Sequence, residues 1–290
     1  MTNISDEELL KLNCEGIIPG PGETEEVFLL RAKYCLSLKK HLADELKDTL
    51  GAIEEDVSPI LERPLQDLQA LYDCAPSWIP IFFSNYRLPF WHGGCAWIFQ
   101  ITEKSPTAAF IQLRKKICSQ SIHLGIYTRD ELLMHEMTHV GRMAFNEPKY
   151  EEILAYKTSK SPFRRWIGGI VQSSIESVIF ILLLFIIVVF DVFLISLGRG
   201  DAYFMSLWLK LIPLTFIAYG LFRIFKKQQT LSRCIENLNF CNAYAVAFRL
   251  TDAEIERFSQ STPGEIMAYA KVAALKELRF RLIWQAYLKK

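Results

Sequence analysis

Thr128-Arg-Asp-Glu-Leu-Leu-Met-His-Glu-Met-Thr-His-Val-Gly-Arg-Met-Ala-Phe145 is the stretch on which the fold reading turns. Thr128-x-x-Glu131 is a capping box, so a helix is expected to begin here. The apolar positions carry on through Val140, Met143, Ala144 and Phe145, which extends it. On a helix, residues four apart stack one turn above each other, so His135 and His139 present both imidazoles to one point. A divalent metal accepts imidazole nitrogen, and zinc in catalytic sites keeps a position open for water. Glu136, beside the first histidine, is placed to take a proton from that water. By accident of composition, this His-Glu-x-x-His pattern arises in roughly one such chain in a hundred.

Working outward, the runs Gly94–Thr102, Ala108–Leu113 and Ile117–Tyr127 are apolar or alternating and bounded by polar turns. They read as a small sheet just before the metal-binding helix, with Ile122–Tyr127 leading into it. On the other side, Pro148 opens a second helix over Lys149–Thr158 that carries Glu151 and Glu152. A three-ligand zinc site needs one more donor, and a glutamate on a following helix is a common solution.

At this point the chain resembles the gluzincin class of zinc metallopeptidases, over Ile122 to about Ser159. The resemblance implies a zincin-like fold, Zn²⁺ as cofactor and hydrolysis of a peptide bond. Membrane-bound relatives of that class place the ligand glutamate before x-x-Ala-Asp. Glu152-Ile-Leu-Ala155-Tyr156 follows that pattern as far as the alanine, so Glu152 is the preferred third ligand and Glu151 the second choice. Tyr156 stands where the relatives have Asp, which leaves the partner of a histidine ligand unassigned; Tyr156 and His123 are candidates for outer support or oxyanion contact. A metzincin arrangement does not fit, because Phe145 occupies the position of its third histidine.

Further along, Ile175–Leu197 has only Glu176 and Asp191 as charges, and Val178–Phe190 is thirteen apolar residues without interruption. After Gly198-Arg-Gly-Asp201 comes a second stretch, Ala202–Phe225, broken by Lys210 and Pro213. At about 1.5 Å per residue each is long enough to cross a hydrocarbon core of about 30 Å. The short loop implies an antiparallel transmembrane hairpin. Lys157, Lys160, Arg164 and Arg165 precede it, while Arg223, Lys226, Lys227 and Arg233 follow it. By the positive-inside bias both termini are cytoplasmic. Counted from the loop centre, Asp191 and Lys210 fall within about 3 Å of the same depth, so they are expected to pair and lock the hairpin register.

Composition sets the outer bounds. With 33 Lys+Arg against 32 Asp+Glu, the chain has no excess positive field to hold nucleic acid. An apolar fraction of 51% excludes a disordered chain. Seven cysteines without a Cys-x-x-Cys pair point to buried thiols in a reducing compartment. Met1–Leu10 carries Asp6, Glu7 and Glu8 and does not read as a signal peptide.

The remaining segments read as helices: one capped by Ser5-x-x-Glu8, then Glu23–Leu50 and Ile60–Tyr72, and later helices capped at Thr251 and Thr262, the last over Pro263–Tyr287. The expected organisation is an α+β, zincin-like cytoplasmic body over 1–165, a transmembrane hairpin over 166–227 with helices near 175–197 and 202–225, and a helical tail over 228–290 packing on the body. About 15 residues separate Glu152 from the start of the hairpin segment at 166, so membrane-proximal peptide or protein substrates are expected alongside contact with the lipid bilayer. Two other functions belong to different classes. A non-catalytic membrane-surface interaction protein would resemble the bilobed anchors of bacterial inclusion-membrane proteins, and the same metal motif also serves zinc hydrolysis of a non-peptide bond.

Overall fold

The computed structural model describes residues 4–46, 50, 58–100, 105–170 and 174–289. The chain divides into two compact units, Met1–Lys160 with Thr230–Lys290, and Ser161–Gln229. The expected tail therefore shares a unit with the amino-terminal body.

The first unit opens with helices α1 (Asp6–Cys14), α2 (Glu25–Glu45) and α3 (Ser58–Tyr72). Ser5 caps α1 by accepting the Glu8 N–H at 3.1 Å, satisfying a donor with no partner inside the helix. The expected extension of the second helix to Leu50 crosses residues 47–49, which lie outside the described residues, as do 101 and 102 of the first expected strand.

Three strands follow: β1 (Ile81–Phe83), β2 (Gly94–Phe99) and β3 (Ala108–Leu113). β3 lies in the middle, parallel to β1 and antiparallel to β2, with Gly94 opposite Leu113 and Phe99 opposite Ala108. All six residues of β3 are buried, which matches its apolar run with no alternation. β1 was not foreseen from the sequence; three residues are too few to show a period.

The expected strand over Ile117–Tyr127 is broken. A single helical turn, α4 (Lys116–Ser119), comes first, followed by a two-stranded hairpin of β4 (Ile122–His123) and β5 (Tyr127–Thr128). Leu124 and Gly125 both take positive φ between them (51° and 71°), which turns the chain back on itself. α5 (Arg129–Gly141) starts directly after β5, with Thr128 Oγ1 accepting the Glu131 N–H at 3.2 Å. The Glu131 side chain accepts a hydrogen bond from the Ser159 hydroxyl and so ties α5 to the end of α6 (Pro148–Lys157).

The second unit contains α7 (Pro162–Ile167), α8 (Ser174–Ser196), α9 (Gly200–Ser206), a 3-10 turn at Leu207–Lys210, and the start of α10 (Leu211–Asn237). Two helical stretches, Ile175–Ser196 and Gly200–Asn237, are long and apolar enough to cross a membrane, with mean hydropathies of 3.5 and 1.5. The expected second helix is not uniform. Pro213 lacks an N–H and crowds the preceding turn, and the backbone there tightens to 3-10 geometry. Within this unit Arg223 forms a two-pronged ion pair with Glu176 at 2.7 and 2.9 Å. Phe180 stacks on Phe216 at 5.5 Å between ring centroids.

The carboxy-terminal part of the first unit comprises α11 (Ala243–Phe248), α12 (Asp252–Phe258), α13 (Pro263–Ala273), α14 (Leu278–Ile283) and a π-helical turn at Trp284–Leu288. Thr251 with Glu254 and Thr262 with Glu265 form reciprocal capping boxes. The single helix expected over Pro263–Tyr287 is broken at Glu277, whose backbone is extended. The break accompanies the burial of Arg279, which donates to both oxygens of Glu254 at 2.8 and 2.9 Å. Burial of a charge is tolerable only when it is fully paired.

A second buried cation joins the two ends of the chain. Arg249, with no exposed surface, donates to Asn13 Oδ1 at 2.7 Å and to the carbonyls of Tyr72, Asp73 and Ala245. Asn13 in turn donates to the Tyr287 hydroxyl at 3.0 Å. These bonds hold α1, α3 and α11 against the final turn.

Candidate metal centre

α5 carries His135, Glu136 and His139, and α6 carries Glu151, Glu152 and Tyr156. The helical pitch brings the two imidazoles together with their Nε2 atoms 3.3 Å apart. Glu152 places Oε2 3.7 Å from His135 Nε2 and Oε1 3.5 Å from His139 Nε2. One donor atom from each of His135, His139 and Glu152 lies within 4.8 Å of the others, so the group can hold a metal ion.

The donor set passes a simple geometric test. Ligand atoms about 2.0–2.1 Å from a tetrahedrally bound zinc stand about 3.3–3.4 Å apart. The edge between the two Nε2 atoms, 3.3 Å, meets that value, and the Glu152 carboxylate brings one oxygen to 3.5 Å from His139 Nε2 and the other to 3.7 Å from His135 Nε2. Two neutral imidazoles and a carboxylate are also the donors that borderline-soft zinc accepts.

Glu151 has a different role from its neighbour. Its Oε1 lies 2.7 Å from His139 Nδ1, so the ring's other nitrogen, Nε2, is the one facing His135 and Glu152. A carboxylate on the far nitrogen fixes the tautomer and orientation of a ligand histidine and raises its basicity. The partner that the sequence left unassigned is therefore Glu151. The only sequence signal for it was the pair of adjacent acids on α6.

Electrostatics follow from burial and these contacts. Burial, with the charge of His139 added, lowers His135 to about 3. Burial also works to lower His139, but the Glu151 hydrogen bond and the charges of Glu152, Glu136 and Glu151 outweigh it and hold the group at about 9. Glu152 is raised by burial, against the lowering charge of His139.

Glu136 is 8% exposed, and its Oε2 accepts the Ala96 backbone N–H from β2 at 2.7 Å. Gly94, two residues earlier on β2, faces the same side: a Cβ there would lie 3.6 Å from Glu136 Cγ, in ordinary contact, but would meet Leu113 Cδ2 of β3 at 2.6 Å. Burial raises the Glu136 carboxyl, with the His139 charge and the Ala96 N–H opposing it. The Ala96 contact gives no sequence signal, since a backbone donor is the same whatever its residue type.

Tyr156 sits beside the candidate ligands, its ring centroid 4.7 Å from that of His135. Burial, followed by the charges of Tyr127 and Glu152, pushes its hydroxyl well above the usual range. His123 is elsewhere: it is buried under the β4–β5 turn, with Nε2 3.5 Å from the Trp91 carbonyl. Asp191 and Lys210 belong to the second unit and lie 2.9 Å apart, with Lys210 also donating to the Tyr203 hydroxyl at 3.2 Å. No family model matches the chain, and neither a curated protein nor a solved structure was found to be similar to it.

Proposed function

We propose that this chain is a membrane-anchored zinc metallopeptidase acting on peptide bonds of membrane-proximal substrates. The observation that carries the reading is the convergence of His135 Nε2, His139 Nε2 and the Glu152 carboxylate: the two nitrogens are 3.3 Å apart, the edge length of a tetrahedral zinc site, and each has one oxygen of Glu152 within 3.7 Å. His135, His139 and Glu152 would hold the ion. When bound there, zinc supplies Lewis acidity toward a water and toward the substrate carbonyl.

The remaining chemistry belongs to the chain. Glu136 follows the first ligand directly, and its raised pKa brings it nearer neutral pH, where a general base works best. It takes the water's proton and delivers it to the leaving amine. Tyr156 stays protonated at neutral pH and keeps an O–H to donate near His135, suited to a developing oxyanion. Glu151 holds His139 in register through Nδ1.

The anchor is read from the two apolar stretches, Ile175–Ser196 and Gly200–Asn237. Their basic flanks favour both termini in the cytoplasm. The ligand helix ends at Lys157 and the second unit begins at Ser161, so the tether is short.

Metal analysis of the purified chain, followed by hydrolysis of a quenched peptide library, tests the reading. Stoichiometric zinc that a chelator removes together with activity is expected. Glu136→Gln should retain the metal and lose nearly all turnover; a metal-free chain, or unchanged turnover in that variant, overturns the proposal.

A further inference from the structure

The β4–β5 turn is built against both local preferences of its residues. Its two central positions, Leu124 and Gly125, have φ of 51° and 71°, and the Ile126 N–H closes the turn on the His123 carbonyl at 3.0 Å. Asn, Asp and Gly are the residues that tolerate such positive φ. Here a leucine takes the first position and is 58% exposed, with Ile122 and Ile126 also more than half exposed. A bulky apolar side chain at positive φ is strained, and strain of this kind gathers at functional segments.

The neighbouring loop repeats the pattern. Phe90 is 75% and Trp91 56% exposed, their rings packed edge to face at 4.7 Å. Arg114 holds this loop by donating to the carbonyls of His92 at 3.1 Å, Leu88 at 3.2 Å and Pro89. His123 joins the two elements through the Trp91 carbonyl. Five large apolar side chains are thus exposed on two segments that the His123–Trp91 contact makes neighbours. An exposed cluster of that kind marks an interaction surface.

Charge identifies the occupant. Residues 84–129 contain six Lys or Arg against one acid, a net of +5, while the whole chain is +1, which leaves −4 for the rest. Arg87, Lys115 and Lys116 are exposed, and the Lys115 N–H bonds the Asn85 side chain at 3.2 Å, which sets it beside the aromatic loop. Apolar prongs with an indole and a surrounding set of cations complement the anionic headgroup region of a bilayer.

We propose that the β4–β5 turn and the Phe90–Trp91 loop dock the first unit on an anionic lipid surface, inserting Leu124, Ile126 and Phe90 among the headgroups. This adds a second membrane contact to the apolar stretches of the other unit. It rests on the membrane part of the function proposed above and not on its chemistry.

The test uses the full chain in vesicles with the photoreactive residue p-benzoylphenylalanine at position 124, 90, 185 or 275. Position 185 lies in α8, and 275 is an exposed site of the first unit away from the patch. With phosphatidylserine present, lipid adducts at 124 and 90 should greatly exceed those at 275. Replacing the anionic lipid with phosphatidylcholine should lower them, and Lys115→Glu with Lys116→Glu should lower them by about fivefold per cation lost. Yields at 124 and 90 no higher than at 275, while 185 labels lipid, overturn the docking patch and leave the spanning reading intact. Adducts at 124 without any at 185 keep the patch and overturn the span. Transfer of the adducts from lipid to an added apolar peptide overturns the bilayer in favour of a peptide-binding surface.

Discussion

Zinc binding to this chain should expel a proton that Glu151 has put there. In the metal-free protein His139 is held at about 9, whereas His135 is lowered to about 3. At pH 7, then, His139 is protonated and His135 is neutral. The ion needs both rings neutral, so it displaces one proton from His139. The competition spans the two units between pH 7 and about 9 and weakens apparent affinity at pH 7 by about 100-fold. Affinity should rise tenfold per pH unit across that window and flatten above it. The sign agrees with the fold's own linkage, because a group raised above its unfolded value stabilises below about 6.5 and loses that contribution as pH rises through about 9. Glu151→Gln removes the carboxylate that bonds Nδ1 at 2.7 Å, while the charges of Glu152 and Glu136 remain, so the variant should release measurably fewer protons, with one as the upper limit, on binding zinc at pH 7.5. Titration calorimetry in two buffers of different ionisation enthalpy reads that count. A proton lost by water at the bound metal is common to both proteins and cancels in the difference. Equal proton release in the two proteins would refute the assignment of Glu151.

Other outcomes follow from the same contacts. Glu152→Gln should weaken zinc binding far more than Glu151→Gln, whose cost as an outer partner is about 10–100-fold; chelator competition on folded protein checks the order, and its reversal would exchange the two roles. Asp191→Asn and Lys210→Met should each destabilise the second unit, and the double variant should recover much of the loss, because the pair at 2.9 Å is removed as a whole; a thermal-stability cycle in vesicles with strictly additive losses would count against the bridge. Arg249→Met strands four acceptors in the core. Since a hydrogen bond to a charged group contributes about 1.5–3 kcal/mol, it should cost at least about 3 kcal/mol in urea unfolding monitored by circular dichroism.

Local rules made a large part of the fold legible. The starts of α1, α5, α12 and α13 follow from hydroxyl residues that cap N–H groups three positions on. The buried strand β3 coincides with its apolar run, Ala108–Leu113. The pairing of His135 with His139 needs only the helical pitch. In the hairpin, the equal depth of Asp191 and Lys210 needs only a rise per residue and a short loop. Each of these depends on residues close in sequence, or on one dimension along a helix.

What the sequence determined by itself was the donor set: two imidazoles on one helix face and a pair of adjacent acids on the next helix. Tertiary structure decided which acid does what. Glu151 and Glu152 differ by about 100° around α6, and the crossing of α6 over α5 sends one to Nδ1 of His139 and the other to the gap between the two Nε2 atoms. The same holds for Ala96, whose backbone N–H meets Glu136 only because β2 is the strand beside α5. It holds for the last helix too, where pairing buried Arg279 with Glu254 wins over a continuous apolar stripe and leaves Leu275 85% exposed. Periodicity places a side chain on a face; the neighbour that face meets is set by how distant elements pack, and that requires the folded chain.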